Sequence, residues 1–399
     1  MNNHLSHRIN ALEESATLAM AQKARELKAK GIDLISLSLG EPDFKTPKHI
    51  QEAAKEAIDE GSYFSYPPVA GYPELRKAIA EKLQKENNIK CGPENIVVST
   101  GAKHSIANVF LCMLNPGDEV IIYSPYWVSY AEMVKLAEGV PVFIKGGLED
   151  DFKASAKQLE EAITPKTKMV IYSSPSNPTG SVFTWEELQE IADVLSKHKN
   201  IFVIADEIYE YINFAGKHHS LATIPEMAEN TITVNGFSKG YAMTGWRVGY
   251  ICAPVWIAKA VEKLQGQMTS GNSSIAQRAA YAATIGDMQP TKDMAAQYLK
   301  RRDIVLELLN QIPGVKTSTP DGAFYVFPDV SAYFGKKDGD FEINNAEDFC
   351  MYMLNKAHVS LVTGDAFGAP ECIRISFAAS EENLREALKR MKEAMERIF

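Results

Sequence analysis

Cysteine is scarce in this chain of 399 residues, which has five of them scattered along its length. None forms a CxxC pair, and an odd number of cysteines cannot all be joined in disulfides within one chain. The spacing therefore argues against a disulfide scaffold. It also argues against a zinc site, which needs clustered ligands. We expect no bound metal.

An excess of positive charge and long apolar runs are also lacking. The formal net charge is −9, so no overall positive field attracts nucleic acid or an anionic membrane. No uninterrupted apolar run is long enough to span a bilayer, and residues 1–8 contain no apolar core of a secretory signal. The sequence therefore predicts a cytoplasmic protein with no membrane or nucleic-acid partner, although local donors still permit an anion site.

The glycine-rich fingerprints of nucleotide-binding proteins are absent as well. Residues 99–104 (Ser-Thr-Gly-Ala-Lys-His) follow a predicted strand and open a predicted helix, but they match neither a P-loop nor GxGxxG. Free N–H groups at the start of a helix bind phosphate, and Gly101 lets the backbone come close to a ligand. The segment is a candidate phosphate site, while an ordinary strand-to-helix turn would have the same pattern.

The sequence does contain the composition and periodicity of a globular enzyme. Hydrophobic residues make up 45% of the chain and charged residues 23%, and its length is enough for two domains. From about residue 70 onward, Val- and Ile-rich runs alternate with helical segments. This alternation predicts an α/β fold whose central, mostly parallel sheet is flanked by helices. The predicted strands of this part are 95–100, 119–124, 169–173 and 201–205, and the predicted helices are 72–88, 103–114, 127–138 and 185–197.

We predict a large domain at 48–295 and a smaller α+β domain that combines 16–47 with 296–399, after an N-terminal arm at 1–15. A long helix at 288–312 would connect the two domains. The other elements predicted outside the large domain are helices at 15–30 and 381–399 and strand-like pieces at 33–39, 323–327, 359–362 and 373–377.

One lysine, Lys239, lies among small residues between the apolar runs 231–234 and 248–253. A lysine at the end of a strand and beside another cation, here Arg247, loses its proton more easily than a free one. An amine needs this in order to form a Schiff base with an aldehyde. The two cations alone would fit a surface loop, but the full spacing is more restrictive: Ser-Lys, five residues, then Gly-x-Arg-x-Gly.

Three further polar residues stand where a ligand site would need them. Asp206 follows the apolar run 201–205, and a buried carboxylate there needs a cation such as a protonated pyridine nitrogen, or else caps a helix. Asn177 lies in a turn at 173–180 with two prolines, either of which could follow a cis bond, and could donate to an aromatic oxygen. Arg374 lies within an apolar strand, where it would either grip a carboxylate or reach solvent from an edge strand.

The order and spacing of these motifs together resemble the signature of fold-type I, class I aminotransferases that depend on pyridoxal 5'-phosphate (PLP). The resemblance runs from about Ser15 to the C-terminus, and segments 124–130 and 242–247 are typical of the bacterial aspartate aminotransferase subgroup. It implies the PLP-transferase fold and a homodimer with its sites at the subunit interface. It also implies ping-pong transfer of an amino group between L-aspartate and 2-oxoglutarate, giving oxaloacetate and L-glutamate.

By the same resemblance, Lys239, Asp206 and Tyr209 are catalytic: Lys239 holds PLP and moves a proton, Asp206 pairs with the ring nitrogen, and Tyr209 bonds the phenolic oxygen. The implied cofactor-binding residues are Gly101, Ala102, Lys103, Trp127, Asn177, Asp206, Tyr209, Ser238, Lys239, Arg247 and, from across the dimer, Tyr66. The implied substrate-binding residues are Gly40, Trp127, Asn177 and Arg374, with Lys103 and Thr17 at the distal carboxylate.

Other functions fit the same resemblance. Subgroup members also accept prephenate or aromatic amino acids, and some relatives use the same lysine as lyases or synthases. A non-catalytic regulator with this fold is disfavoured because the chain is acidic and shows no added DNA-binding segment. Arg278 stands where we expect an apolar residue, and its role stays open.

Overall fold

The computed structural model describes residues 4–14 and 16–398, so the start of the predicted helix at Ser15 lies outside the described residues, as do Phe399 and part of the predicted arm. The strands are β1 (Ile35–Ser36), β2 (Ile96–Ser99), β3 (Glu119–Ser124), β4 (Val140–Lys145), β5 (Thr167–Ser173), β6 (Phe202–Asp206), β7 (Thr231–Gly236), β8 (Gly249–Cys252), β9 (Tyr325–Val326), β10 (Lys336–Asp338), β11 (Phe341–Ile343), β12 (Val359–Ser360), β13 (Val362–Thr363) and β14 (Ile373–Ser376).

The helices are α1 (His7–Asn10), α2 (Ala16–Ala29), α3 (Lys48–Glu60), α4 (Pro73–Asn87), α5 (Ala102–Met113), α6 (Ser129–Leu136), α7 (Ala156–Ala162), α8 (Trp185–Leu195), α9 (Val255–Met268), α10 (Ser274–Ile285), α11 (Gln289–Leu309), α12 (Ala346–Tyr352) and α13 (Glu381–Met395). No helix among the described residues combines the length and the apolar character needed to cross a membrane.

Seven strands form the central sheet in the order β2-β8-β7-β6-β5-β3-β4. Strand β8 runs antiparallel to both neighbours, and the other pairs are parallel. Because side chains alternate along a strand, Ile122 packs on one face with α5, α6 and α9, whereas Ile121 packs on the other face with α7 and α8. The predicted fold, a mostly parallel sheet between helices, is therefore confirmed.

The carboxyl ends of β5, β6 and β7 meet at one edge of this sheet. Ser173, the last residue of β5, pairs in register with Asp206, which in turn pairs with Val234 of β7. Ligands of open α/β sheets bind at this edge, where the loops that follow the strands converge. The edge therefore places the turn at 173–180, Asp206 and the segment that carries Lys239 next to one another.

A second layer is built from the two ends of the chain. Strand β1 pairs with β12, and β14 is the middle strand of a three-stranded antiparallel sheet between β13 and β9. Apolar residues of α2, α11, α12 and α13 share one core with these strands. Helix α11 continues across residues 295 and 296, the predicted boundary between the domains, and the division itself stays a prediction.

Several elements carry weaker sequence signals and were not predicted. Strand β4 contains Pro141 and lies at the edge of the sheet, and Val140 and Phe143 in it are exposed, so no clean apolar run marks it. Helix α10 buries mainly alanines, whose small side chains give a weak apolar stripe. Helices α7, α9 and α12 and the β10–β11 hairpin were also missed, although α7 begins with a capping box between Ser155 and Gln158 that the sequence shows.

Candidate active site

The loops at this edge and the second layer enclose a cavity of about 570 Å³. Most of the predicted site residues line it: Thr17, Gly40, Ala102, Lys103, Trp127, Asn177, Asp206, Tyr209, Ser238, Lys239, Arg247 and Arg374. These residues come from nearly the whole length of the chain. The fold therefore collects into one cavity the motifs that the sequence scatters.

Lys239 follows β7 and points across the cavity. Its Nζ donates to the carbonyl oxygen of Gly40 at 2.5 Å and lies 5.7 Å from the centre of the Tyr209 ring. Burial lowers the pKa of Lys239 to about 8; Glu41 opposes this shift, while Arg374 and Arg247 add to it. Neighbouring cations lower the pKa of Lys239 as expected. Burial lowers it more, because a low-dielectric surrounding disfavours the charged amine.

Asp206 ends β6 and is only 3% exposed. The hydroxyl of Tyr130 donates to its Oδ2 at 2.5 Å, and the backbone N–H of Ile208 donates to Oδ1 at 3.3 Å. Burial raises the pKa of Asp206 to about 6, and the bond from Tyr130 opposes that shift. No described cation forms an ion pair with Asp206, so this buried carboxylate lacks the positive partner that a protonated ring nitrogen would provide.

Arg374 is almost fully buried, at 1% exposure, on the middle strand β14. Its Nη1 donates to Asn177 Oδ1 at 2.9 Å and its Nη2 to the carbonyl oxygen of Ser38 at 2.7 Å. Its Nε has no partner among the described residues. The alternative of an edge-strand arginine in solvent is therefore wrong, and Arg374 and Asn177 are brought together as a pair that could hold a carboxylate.

Two tyrosines face each other beside Arg374. The Tyr209 and Tyr325 hydroxyls lie 2.7 Å apart, and the Tyr325 ring centre lies 4.5 Å from the guanidinium carbon. Burial raises the pKa of both tyrosines, so both keep their protons at neutral pH. Sequence reasoning missed Tyr325, Tyr130 and Glu41, all of which line the cavity, because only their folded neighbours distinguish them from core or surface residues.

The start of α5 forms one wall. Gly101 precedes the helix with a φ of 87°, and a side chain there would collide with the guanidinium of Arg247. Arg247 is held by the carbonyl oxygens of Thr244 at 2.9 Å and Thr100 at 3.4 Å. The first N–H groups of a helix have no partner within it, so this wall offers anion donors beside a guanidinium. Such a donor set fits a phosphate.

Lys103 and Trp127 lie together on the same side of the cavity. The Lys103 Nζ lies 4.9 Å from the centre of the Trp127 ring, and Trp127 meets Tyr130 edge to face at 5.5 Å. Burial, and then Arg247, lower the pKa of Lys103. Thr17 reaches the cavity from α2.

Gly101 directly precedes the lining residues Ala102 and Lys103, and two other singled-out residues, Tyr66 and Arg278, are not among those that line the cavity. Tyr66 is 95% exposed and does not line the cavity. Arg278, on α10, has its guanidinium carbon 5.4 Å from the centre of the Tyr281 ring. A role for Tyr66 therefore needs a second chain, and Arg278 packs on its own helix rather than at the site.

Comparison with known proteins decides the family. Residues 32–391 match the family model of class I and II aminotransferases. The chain belongs to this family. It is therefore an aminotransferase with PLP as its cofactor. The cavity residues fit PLP, because they include a buried carboxylate that forms no ion pair among the described residues, a lysine with a lowered pKa and a helix start that can bind an anion.

Similar proteins cover almost the entire chain. A bifunctional aspartate aminotransferase and glutamate/aspartate-prephenate aminotransferase from Petunia hybrida is 47% identical, over 98% of this chain and 82% of the relative. The aspartate aminotransferase of Rhizobium meliloti superposes with a TM-score of 0.96 at 40% identity, covering 99% of this chain and all of that structure. The aspartate aminotransferase of Thermus thermophilus with maleate gives 0.92 at 41% identity, with 98% and 100% covered.

Proposed function

We propose that this aminotransferase transfers the amino group between L-aspartate and 2-oxoglutarate, giving oxaloacetate and L-glutamate by a ping-pong mechanism. The observation that carries the proposal is the convergence of Lys239, Asp206 and Arg374 in one cavity, where none of the three forms an ion pair among the described residues. Similar proteins named for aspartate support the choice of substrate, as does a similar structure named with maleate, which is a dicarboxylate.

In this proposal, each part of the cofactor is bound by a different set of cavity residues. PLP, when bound, supplies an aldehyde that captures an amino group and a ring that withdraws electrons from the substrate Cα. Lys239 would hold the cofactor through its amine, Asp206 would accept from the ring nitrogen, and Asn177 and Tyr209 would donate to the phenolic oxygen. Trp127 would pack against the ring, and Gly101, Ala102, Ser238 and Arg247 would bind the phosphate.

The substrate lies between the two layers in this proposal. Arg374 and Asn177 bind its α-carboxylate, helped by the backbone of Gly40, while Lys103 and Thr17 bind the distal carboxylate. Lys239 would accept the proton from the substrate Cα, and its pKa of about 8 leaves part of the amine neutral near pH 7.

A half-reaction screen tests the substrate. Each amino acid is added alone to the PLP-loaded enzyme, and the absorbance change to the pyridoxamine form is followed. We expect aspartate and glutamate to react faster than phenylalanine. Aspartate that leaves the spectrum unchanged, or that releases ammonia without the pyridoxamine form, would contradict the proposal and favour the aromatic or the lyase alternative.

Prephenate is a second candidate acceptor, because the Petunia relative is named for both aspartate and prephenate. Starting from the pyridoxamine form, oxaloacetate, 2-oxoglutarate and prephenate can be compared as acceptors. Conversion of prephenate at a rate similar to that of 2-oxoglutarate would add this activity to the proposed one, and a negligible rate would remove it.

We further propose a homodimer in which Tyr66 reaches the phosphate of the other chain's PLP. Its exposed hydroxyl and the neighbouring exposed Phe64 leave an aromatic loop uncovered in one chain. Refolding inactive Lys239→Ala together with PLP-deficient Tyr66→Ala should restore about a quarter of wild-type activity, since about half the dimers are mixed and each has one intact site. Activity equal to the sum of the two variants alone would place Tyr66 within its own chain.

The cytoplasm is the proposed location. All five cysteines are free, which fits a reducing compartment. Cell fractionation with an antibody against the chain would test it, and recovery outside the cytoplasmic fraction would contradict it.

A further inference from the structure

The hydroxyl of Tyr130 is directed at Asp206 from a different element. Tyr130 is the second residue of α6 and is 1% exposed, and its hydroxyl lies 2.5 Å from Asp206 Oδ2. Burial, and then Asp206, raise the pKa of Tyr130 well above its ordinary value, so the hydroxyl keeps its proton and acts as the donor. A bond between a hydroxyl and a carboxylate at this distance is of the short, charge-assisted kind.

The other groups around Asp206 do less to keep it ionised. The Ile208 N–H lies at a longer 3.3 Å, and the adjacent Glu207 disfavours a second negative charge. The pKa of Lys239 is itself lowered to about 8, and Asp206 in turn raises the pKa of Tyr209. Of the groups that oppose the effect of burial on Asp206, Tyr130 is the strongest.

We propose that Tyr130 is a positioning residue: its hydroxyl keeps Asp206 ionised and oriented for the protonated ring nitrogen of the cofactor. The inference rests on the proposed role of Asp206. Tyr130 acts through that carboxylate, so its removal weakens the hold on the cofactor without removing any residue that carries protons to the substrate.

The test is the binding of PLP to the cofactor-free Tyr130→Phe variant between about pH 5.5 and 8.5, followed by absorbance. A hydrogen bond to a charged group contributes about 1.5–3 kcal/mol, so we expect affinity to fall by about 10- to 100-fold near pH 6. The loss should shrink as the pH rises, because removing the hydroxyl raises the pKa of Asp206, and the carboxylate then ionises only at higher pH.

Tyr123→Phe is the matched control, because Tyr123 is also buried and its hydroxyl has no partner among the described residues. It should leave both the affinity and its pH profile unchanged. In an Asp206→Asn background, Tyr130→Phe should lose its pH-dependent effect, since no carboxylate remains to titrate. Unfolding measured by circular dichroism reports the effect of each change on stability separately from binding.

A Tyr130→Phe profile that coincides with that of Tyr123→Phe would overturn the proposal. A loss of affinity that is the same at every pH, or that persists with its pH dependence in the Asp206→Asn background, would also overturn it and leave Tyr130 a packing role. Failure of the proposed function is seen separately, because the wild-type chain would then bind PLP without converting it on addition of aspartate.

Discussion

Two clusters of buried charge include residues at or just after the end of β6, and they differ in how the charges are paired. In the active-site cluster (Lys239, Asp206 and Arg374) no charge meets an opposite charge among the described residues, and each is held by neutral donors or acceptors. In the second cluster, called the network below (Lys82, Asn87, Glu207, Glu210 and His218), Lys82 pairs with Glu210 and His218 with Glu207.

The pKa directions of the two clusters follow from this difference. In the active-site cluster burial dominates, and it moves the pKa of Lys239 down and that of Asp206 up, each toward the neutral form. In the network burial is outweighed: Lys82 holds the pKa of Glu210 below its ordinary value, and Glu207 raises that of His218. Unpaired buried charge thus identifies the place that a charged ligand completes, whereas paired buried charge identifies structure.

The largest expected effect is on turnover, from Lys239→Ala. Loss of a proton carrier alone lowers the rate by about 10²–10⁴-fold, and loss of the covalent hold adds to this, while PLP still binds through Asp206 and Arg247. Steady-state assays with aspartate and 2-oxoglutarate measure the loss. Near wild-type turnover would remove Lys239 from its role.

The stability of the same variant tests whether the charge of Lys239 contributes to folding. The folded-state pKa of Lys239 is depressed to about 8, so its burial disfavours folding below that pH, and the penalty disappears as the pH rises toward the unfolded value. We therefore expect cofactor-free Lys239→Ala to be at least as stable as the wild type in urea at pH 7. Clear destabilisation would show that Lys239 is structural as well.

The network should respond in the opposite way, with a large loss of stability. Lys82 and Glu210 have side chains exposed by only 7% and 5%, and Asn87 bonds both of them at 2.9 and 2.6 Å. Lys82→Met leaves Glu210 buried without its cation, which costs about 3–5 kcal/mol. Urea unfolding measures this loss of stability. Lys55→Met, in an exposed pair with Glu52, is the control and should change little. Equal stability of the two variants would contradict the comparison.

A smaller effect is expected at the rim of the active-site cluster, from Lys103→Ala. If Lys103 binds the distal carboxylate, the KM for aspartate should rise by about 10- to 100-fold, as for loss of a charge-assisted bond, while that for phenylalanine changes little. Steady-state kinetics with both amino acids provide the test. Equal losses for both would assign Lys103 to the cofactor instead.

The last expected effect concerns pH. Below a pKa of about 8 the neutral fraction of Lys239 falls about tenfold per pH unit, so the rate at which cofactor-free enzyme captures PLP should rise with pH and level off above 8. Stopped-flow absorbance from about pH 6.5 to 9 measures it. A rate that is constant over this range would mean that the amine is already neutral at the lower end.

Much of this could be predicted from the sequence. The Val- and Ile-rich runs ending at Ser124, Ser173 and Asp206 predicted strands that the structure contains, because burial on both faces is recorded in local composition. The glycine before α5 and the lysine after β7 were likewise recognisable, since a glycine at a strand-to-helix turn and a lysine among small residues are features of the local sequence. The elements that were missed, such as β4 and α10, have weak local patterns and are defined by what packs on them.

The sequence by itself determined the order of the strands along the chain, the residue types of the site and the resemblance that led to its family. Only the tertiary structure decided which of those residues meet. Tyr130 reaches Asp206 across 76 residues of chain, and Arg374 reaches Asn177 across 197. The physical reason is that hydrophobic periodicity is a local property, whereas hydrogen bonds and the loss of solvent that shifts a pKa depend on elements brought together from distant parts of the chain.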